Sequence, residues 1–506
     1  MSIASIAKKV TMMINWKLIS KVMGLLILTE AGLMFLCQIV SWIYGEGVEA
    51  FLYPSIIAAA IGAFGVYMGR KAKKDMGRRD GYFIVSLVWV LFTVIGMLPF
   101  LFCRCVPDVA SAFFETMSGF TSTGATNIDN IDSLPRGILF WRSLTQWIGG
   151  IGIVFFTIAI LPAFGVSEVK LFAAESTGPI HNKVHPRVSV AAKWIGGVYI
   201  MLTVLCVASL LLCGMNFFDS VNYSLCTTAT GGYGTHSDML EDYYHSPSID
   251  YVLIFFMFAS GVNYSLIYYT ILKGQVKKFF ADVELRTYLI IVFGASAICA
   301  AAIFIDNSSL GIEYCIRHSL FTVISLQTTT GLATVDYTLW PVQLMPVLLF
   351  VMFAGACSGS TSGGMKCIRL TIVYKILRNE FIRVLHPRAV IPVRVNGSIM
   401  PANIVTTLLG FGALFVISLF VGAFVLALSG VSPNNVHPNF DYYEAFGLAM
   451  SSISNVGPGM GYYGPAHSWA ILSPVAKYVC SFLMLIGRLE IFPIMLLFTS
   501  SFWKRQ

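Results

Sequence analysis

Charge is what this sequence lacks. Of its 506 residues, only 11% are Asp, Glu, Lys or Arg, less than half the roughly 25% of a soluble domain. Hydrophobic residues make up 57%, and the mean hydropathy is +0.76. Such a composition excludes an ordinary soluble fold. Paired metal spacings are also missing. The eleven cysteines are scattered, and Cys206, Cys299 and Cys480 sit inside apolar runs. They read as small apolar filler, with neither zinc spacing nor a secreted disulfide framework. His181 and His185 stand i, i+4 but have no third ligand near them in sequence, so no resident metal or cofactor is expected. No nucleophile–base pair and no paired carboxylates stand out, so the chain does not read as an enzyme. A signal peptide is absent too. Lys8, Lys9, Lys17 and Lys21 precede a long apolar run without a cleavage site, which reads as a membrane anchor.

What is present is oil in lengths that fit a bilayer. Apolar runs fall at 18–42, 52–69, 81–103, 138–163, 191–214, 250–272, 287–305, 341–377, 401–429 and 470–500. About 20 apolar residues cross the hydrocarbon core as a helix, so these ten runs are candidate spans. The connections alternate in charge. RKAKKDMGRR (70–79), VKKFF (276–280) and KILRNEFIRVLHPRAVIPVR (375–394) are basic, whereas GEGVE (45–49), DNID (129–132) and SDMLEDYY (237–244) are acidic or neutral. Most lysines and arginines fall in one alternate set, and basic connections stay in the cytoplasm. Both termini are then cytoplasmic. The net charge of +8 follows from this topology and does not call for nucleic acid.

On the external side, one pattern returns. Residues 121–126 read TSTGAT, 228–233 read TATGGY and 328–334 read TTTGLAT; a weaker copy is SSISNVGPGMG, where Asn455 and Val456 replace the hydroxyl residues. Aligned on Gly124, Gly231, Gly331 and Gly457, each copy follows a short semi-apolar segment: AFFETMSGFT, DSVNYSLCTT, SLFTVISLQT and EAFGLAMSSIS. These segments are too short to cross a bilayer. The pattern therefore reads as span, half-helix, glycine turn, span. It predicts an all-α polytopic membrane protein with two N-terminal helices in 1–80 and four pore repeats at 81–163, 191–273, 286–380 and 401–500. Internal repetition of this kind takes precedence over any local motif.

The repeat has a physical reason. Non-helical backbone at membrane depth is tolerated only when buried in protein or lining a water-filled path. Glycine frees the backbone dihedrals, and a ring of carbonyls can replace the hydration shell of a monovalent cation. The expected ring consists of the carbonyls of each glycine and its two predecessors: Ser122, Thr123 and Gly124; Ala229, Thr230 and Gly231; Thr329, Thr330 and Gly331; Asn455, Val456 and Gly457. The small hydroxyl side chains suit this wall because they can bond backbone groups that a helix would otherwise satisfy.

Two features lie below the ring. AGACSGSTSGGMK (354–366) interrupts the eighth span. About 15 residues of helix descend roughly 22 Å, which places the interruption in the inner half of the membrane. It is not a phosphate loop, since no Gly-Lys pair and no preceding strand exist. It reads either as a helix kink or as a mobile gate; for a gate the residues are Gly355, Ser358, Gly359, Ser360, Gly363, Gly364 and Lys366. Arg488 stands inside the last apolar run, where a lone charge costs about 2.5–3.5 kcal/mol on insertion scales. It reads either as half of an ion pair, with Glu490 as one candidate acid in poor helical register, or as a positive barrier facing the path.

These stretches together resemble the bacterial TrkH/TrkG potassium-uptake subunits of the Trk/Ktr/HKT superfamily. The resemblance is carried by FFETMSGFTSTGAT (113–126), FWRSLTQWIGGIGI (140–153), TATGGYGTH (228–236), TTTGLAT (328–334), 354–366, ISNVGPG (453–459) and GRLEIF (487–492). It spans most of the chain, and the two extra N-terminal spans favour the TrkH type over the eight-span KtrB type. It implies potassium uptake across a bacterial inner membrane, with potassium as substrate at the ring. It also implies a homodimer with one pore per subunit and a TrkA-like cytoplasmic ring of nucleotide-binding subunits. A sodium-selective or poorly selective relative is the alternative; glycine rather than serine at the first turn argues against it. The basic cytoplasmic connections meet either that ring or anionic lipid.

Overall fold

In lipid a backbone amide has no water to bond, so an uncharged apolar run closes its hydrogen bonds on itself as a helix. The computed structural model describes residues 14–72, 78–160, 188–237, 239–274, 276–429 and 440–504; Lys8, Lys9, His181 and His185 lie outside them. Each of the ten apolar runs carries helix, shorter helices lie between them, and the strands among the described residues are a hairpin of two-residue strands, Arg394–Val395 with Ser398–Ile399. Five helices are long and apolar enough to cross a bilayer alone: Trp16–Ile43, Arg79–Cys103, Lys193–Leu212, Val283–Asp306 and Ile404–Ser429. They carry exposed apolar side chains, among them Phe35, Val204, Ile290 and Phe424. The chain is an all-α, multi-pass membrane protein.

Leu52–Met68 is a shorter unbroken apolar helix; the other four apolar runs are broken, and the sequence showed only one of the breaks. Arg136–Ile160 turns at Gly152 (φ 52, ψ −145). Pro247–Ser260 and Tyr264–Ile271 meet at 102°. Met345–Ala354 and Cys367–Leu385 are separated by a loop, and Pro474–Arg488 is parted from Phe492–Leu497 at Glu490 and Ile491, both with positive φ. Each break falls on the helix that follows a glycine turn, at a similar distance past that turn. The second break escaped notice because Gly261 is its only glycine, and Asn263 restarts the helix by accepting from Ser265 N at 2.9 Å.

Four shorter helices fill the interior: Val109–Phe120, Phe217–Ala229, Ile312–Gln327 and Tyr442–Ser454. Three begin on a side-chain cap. Asp108 accepts from Ser111 N, Asn216 from Asp219 N and Asp441 from Glu444 N. The third starts at Gly311 (φ 82) without a side-chain cap. A capped start satisfies one of the orphan amides of a helix N-terminus. Their last turns are wholly buried. The cysteine reading needs one correction. Cys103 and Cys105 are disulfide-bonded, while the other nine are free, and all of these except Cys213 are buried.

Candidate functional site

The four short helices end in one and the same turn. The amides of Thr123, Gly231, Thr330 and Val456 donate five residues back, to Ser118, Cys226, Ser325 and Ser451, at 2.8–2.9 Å. The residues before them, Ser122, Thr230, Thr329 and Asn455, have φ of 52–58° and donate three residues back. This pair of bonds is the Schellman ending, which usually places glycine in the left-handed position. Here that position is never glycine, so each turn holds a mild strain of about 1–2 kcal/mol.

The next residue in each turn is Gly124, Gly232, Gly331 or Gly457, with φ of 86°, 79°, 77° and 109°. A Cβ on Gly124 would lie 2.0 Å from the Gly231 carbonyl oxygen, on Gly232 2.0 Å from that of Thr330, and on Gly331 2.0 Å from that of Val456. On Gly457 it would lie 2.7 Å from the Thr123 oxygen. Each turn therefore abuts the next in chain order, and the fourth returns to the first. The ring is closed, and no side chain fits at its glycines. A cavity of about 140 Å³ reaches all four of these glycines.

This geometry moves the second turn by one residue from the sequence alignment. Gly232, not Gly231, occupies the position of Gly124, Gly331 and Gly457, and Ala229 is the last residue of its helix. Gly231 has negative φ and faces Gln146, whose Nε2 donates to its carbonyl at 2.6 Å. The other residues expected at the ring (Ser122, Thr123, Gly124, Thr230, Thr329, Thr330, Gly331, Asn455, Val456 and Gly457) are brought together in register.

Behind the ring stand charges that sequence reasoning passed over. Arg142 Nε lies 3.0 Å from Glu115 Oε1, both side chains being almost fully buried, and its guanidinium covers the Tyr233 ring at 4.1 Å. Glu115 also accepts from Asn127 N at 3.0 Å, and Tyr233 donates back to the Glu115 carbonyl at 2.7 Å. The signal was the one that exposed Arg488: a charge inside an apolar run. Asn455 Nδ2 donates to Thr123 Oγ1 at 3.0 Å, stitching the fourth turn to the first.

Residues 355–366 form a loop rather than a bent helix, and it lies directly against the helix ends that carry the ring. Gly363 N donates to Thr329 Oγ1 at 2.8 Å, Thr361 Oγ1 donates to the Thr228 carbonyl at 3.1 Å, and a Cβ on Gly363 would sit 2.2 Å from the Ser454 oxygen. Glu284 holds both ends, accepting from Ser358 N at 2.5 Å and Ile368 N at 3.2 Å. Gly355, Gly359, Gly364 and Lys366 take positive φ; Ser360 folds back onto the Cys357 carbonyl. Arg488 donates to the Thr361 carbonyl at 2.7 Å and to the Gly149 carbonyl at 2.5 Å, spanning from the loop to the helix after the first turn. Glu490 binds Lys366 at 2.7 Å and Arg369 at 2.5 Å.

At the mouth of this cavity, His236 lies 2.9 Å from Asp132 and 2.9 Å from Asp219, stacked on Tyr243. Burial works to lower its pKa, but hydrogen bonds and attraction from the two carboxylates outweigh this and hold it above the usual 6.5. For Asp132, burial is outweighed by bonds from Ser237 and His236, and its pKa falls below 3.8.

Comparison with known proteins matches residues 48–505 to a family described as TrkH, cation transport protein. The Trk system potassium uptake protein TrkH of Escherichia coli K12 is 35% identical over 97% of this chain and 100% of its own. TrkG of the same strain is 32% identical over 92% of this chain and 94% of its own. The crystal structure of the potassium transporter TrkH from Vibrio parahaemolyticus aligns with a TM-score of 0.85 at 32% identity, covering 97% of this chain and 100% of that one.

Proposed function

This chain belongs to the TrkH family of cation transport proteins, and from that premise we propose that it takes up potassium through a path on the axis of its four glycine turns. The observation that carries the reading is the closed ring. Four left-handed turns abut in chain order, and glycine stands wherever a Cβ would strike the next turn's carbonyl. A ring of backbone oxygens at fixed spacing is what a dehydrated monovalent cation needs. The potassium-binding residues are Ser122, Thr123 and Gly124; Thr230, Gly231 and Gly232; Thr329, Thr330 and Gly331; and Asn455, Val456 and Gly457. The four span–helix–turn–span units are 81–163, 191–273, 286–380 and 401–500, after two helices in 1–80. Potassium is substrate, and no other cofactor enters.

Below the ring, loop 355–366 and Arg488 act as the gate. What supports this is contact with the helix ends of the second, third and fourth turns and a positive charge held beside the path. The protein works as a homodimer in the bacterial inner membrane with both termini cytoplasmic, regulated by a ring of nucleotide-binding subunits. The alternation of basic connections supports the orientation. The test is potassium flux into liposomes carrying the purified chain. Uptake that prefers potassium over sodium, and loses that preference in Gly124→Ser, is the expected result. Sodium flux equal to potassium flux in the parent chain would overturn it.

A further inference from the structure

Away from the ring, the outer ends of the second and third units gather a cluster that transport does not use. Glu241 lies in the external helix Leu240–Tyr244, Asp250 in the first turn of Pro247–Ser260, and His318 in the third short helix. One ligand atom from each lies within 4.8 Å of the others. Asp250 and His318 are buried and Glu241 is half-buried. His318 Nδ1 is 2.8 Å from Thr334 Oγ1, whereas its Nε2 is buried with no hydrogen-bond partner among the described residues. A buried imidazole nitrogen left without a partner is costly, and this one belongs to a ring set beside two carboxylates.

Arg317 now shares these carboxylates. Its Nη1 contacts Asp250 and lies 2.9 Å from Glu241, while its Nε holds Glu313 at 2.9 Å. Three carboxylates against one guanidinium leave the cluster short of positive charge. Glu313 is mostly exposed, at 58%, so Arg317 can keep that partner while its Nη1 withdraws.

We propose that Glu241, Asp250 and His318 bind a zinc-class divalent cation on the external side, with Arg317 as the group that the cation displaces. One imidazole nitrogen and two carboxylate oxygens form a three-ligand set that zinc takes at about 2.0–2.2 Å, completing four-coordination with water. The imidazole turns the site away from magnesium and calcium, which prefer oxygen alone. The second ring nitrogen then keeps Thr334, three residues past Gly331, so occupancy braces the segment that follows the third turn. Orientation of a ligating imidazole by its other nitrogen is the usual arrangement at such sites.

The experiment is titration of the full chain in detergent with Zn²⁺ alone, by calorimetry, and with Co²⁺ by its visible absorption. We expect saturation at one equivalent, and binding weakened about tenfold or more in Glu241→Gln and in His318→Gln, since even outer-shell losses cost 10–100-fold. Size-exclusion profiles identify variants that fail to fold. Glu241 sits in a short external helix, so its variant carries the test should His318→Gln fail. Absence of one-equivalent binding in the parent, or equal binding in a folded Glu241→Gln chain, overturns the site and assigns any bound metal to other histidines and cysteines.

Discussion

At the scale of single residues, the ring depends on positions where an extra carbon has no room. Gly124, Gly232 and Gly331 each face a carbonyl at 2.0 Å, Gly457 one at 2.7 Å. Serine at the first three should lower the potassium/sodium permeability ratio strongly, and at Gly457 less, as read from reversal potentials. Gly232→Ser should do more damage than Gly231→Ser, because Gly231 meets only the Gln146 side chain, which can shift. Equal ratios across all five variants would falsify the ring. The one-residue slip was invisible in TATGGY because two adjacent glycines satisfy the pattern equally. The hydrogen bond that the Gly231 amide donates to the Cys226 carbonyl fixes the register. The non-glycine left-handed residues were equally illegible, since strain leaves no mark in composition. Glu115 and Arg142 make a second residue-scale test. Removing one partner of a buried pair strands the other charge, at about 3–5 kcal/mol. Glu115→Gln should therefore lower the thermal midpoint in detergent, and the double variant Glu115→Gln/Arg142→Leu should recover part of the loss. A double variant less stable than Glu115→Gln would show that the pair is not what holds the two segments.

Among elements, the broken helices carry the most information. The loop at 355–366 announces itself because Gly and Ser crowd there, but the breaks at Gly152, Gly261 and Glu490–Ile491 rest on one or two residues. A single glycine in an apolar run is too common to read as a break. The proposed gate predicts that shortening 358–364 raises flux, and that Arg488→Ala does the same by removing positive charge from the cation path. Initial rates in liposomes decide it: if both variants fold and conduct no faster than the parent, neither is a barrier. The mouth offers a pH test. His236 joins the loop after the first turn, through Asp132, to the second short helix, through Asp219, against Tyr243 and Tyr244. Its pKa is raised on folding, so its stabilisation is complete below about pH 6.5 and is lost as pH climbs through the raised value. The Asp132 contribution runs the other way, present above its unfolded pKa and lost only in strong acid. Protection from hydrogen exchange in 127–135, taken relative to the intrinsic pH-dependent rate, should thus fall as pH rises above about 6.5. In His236→Gln that protection should be low and independent of pH, and an unchanged profile would remove His236 as the tether.

Across the whole molecule, the all-helical, multi-pass architecture was the most legible property, because oil-length apolar runs are set by the bilayer rather than by packing detail. What no run of residues could reveal is which distant parts meet: the loop of the third unit against the helix ends of its neighbours, or Arg488 against Gly149. One such long connection leads out of the membrane. Cys367–Leu385 begins where the loop ends, anchored by Lys366 and Arg369 on Glu490, and runs on to a basic end with Arg378 and Arg383. Beside them Phe381, Val384 and Leu385 are exposed. Basic residues interleaved with exposed apolar ones make a surface that a protein partner can cover, and a pull on this helix acts directly on the loop. Transmission between distant sites requires that this broken element take two arrangements. If the proposed nucleotide-binding ring docks here, Arg378→Glu with Arg383→Glu should abolish the response of flux to ATP or NADH while leaving the basal potassium/sodium ratio unchanged. The measurement is liposome flux with the purified ring subunits, with and without nucleotide. A full nucleotide response in the reversed variant would reduce this end of the helix to a contact with anionic lipid.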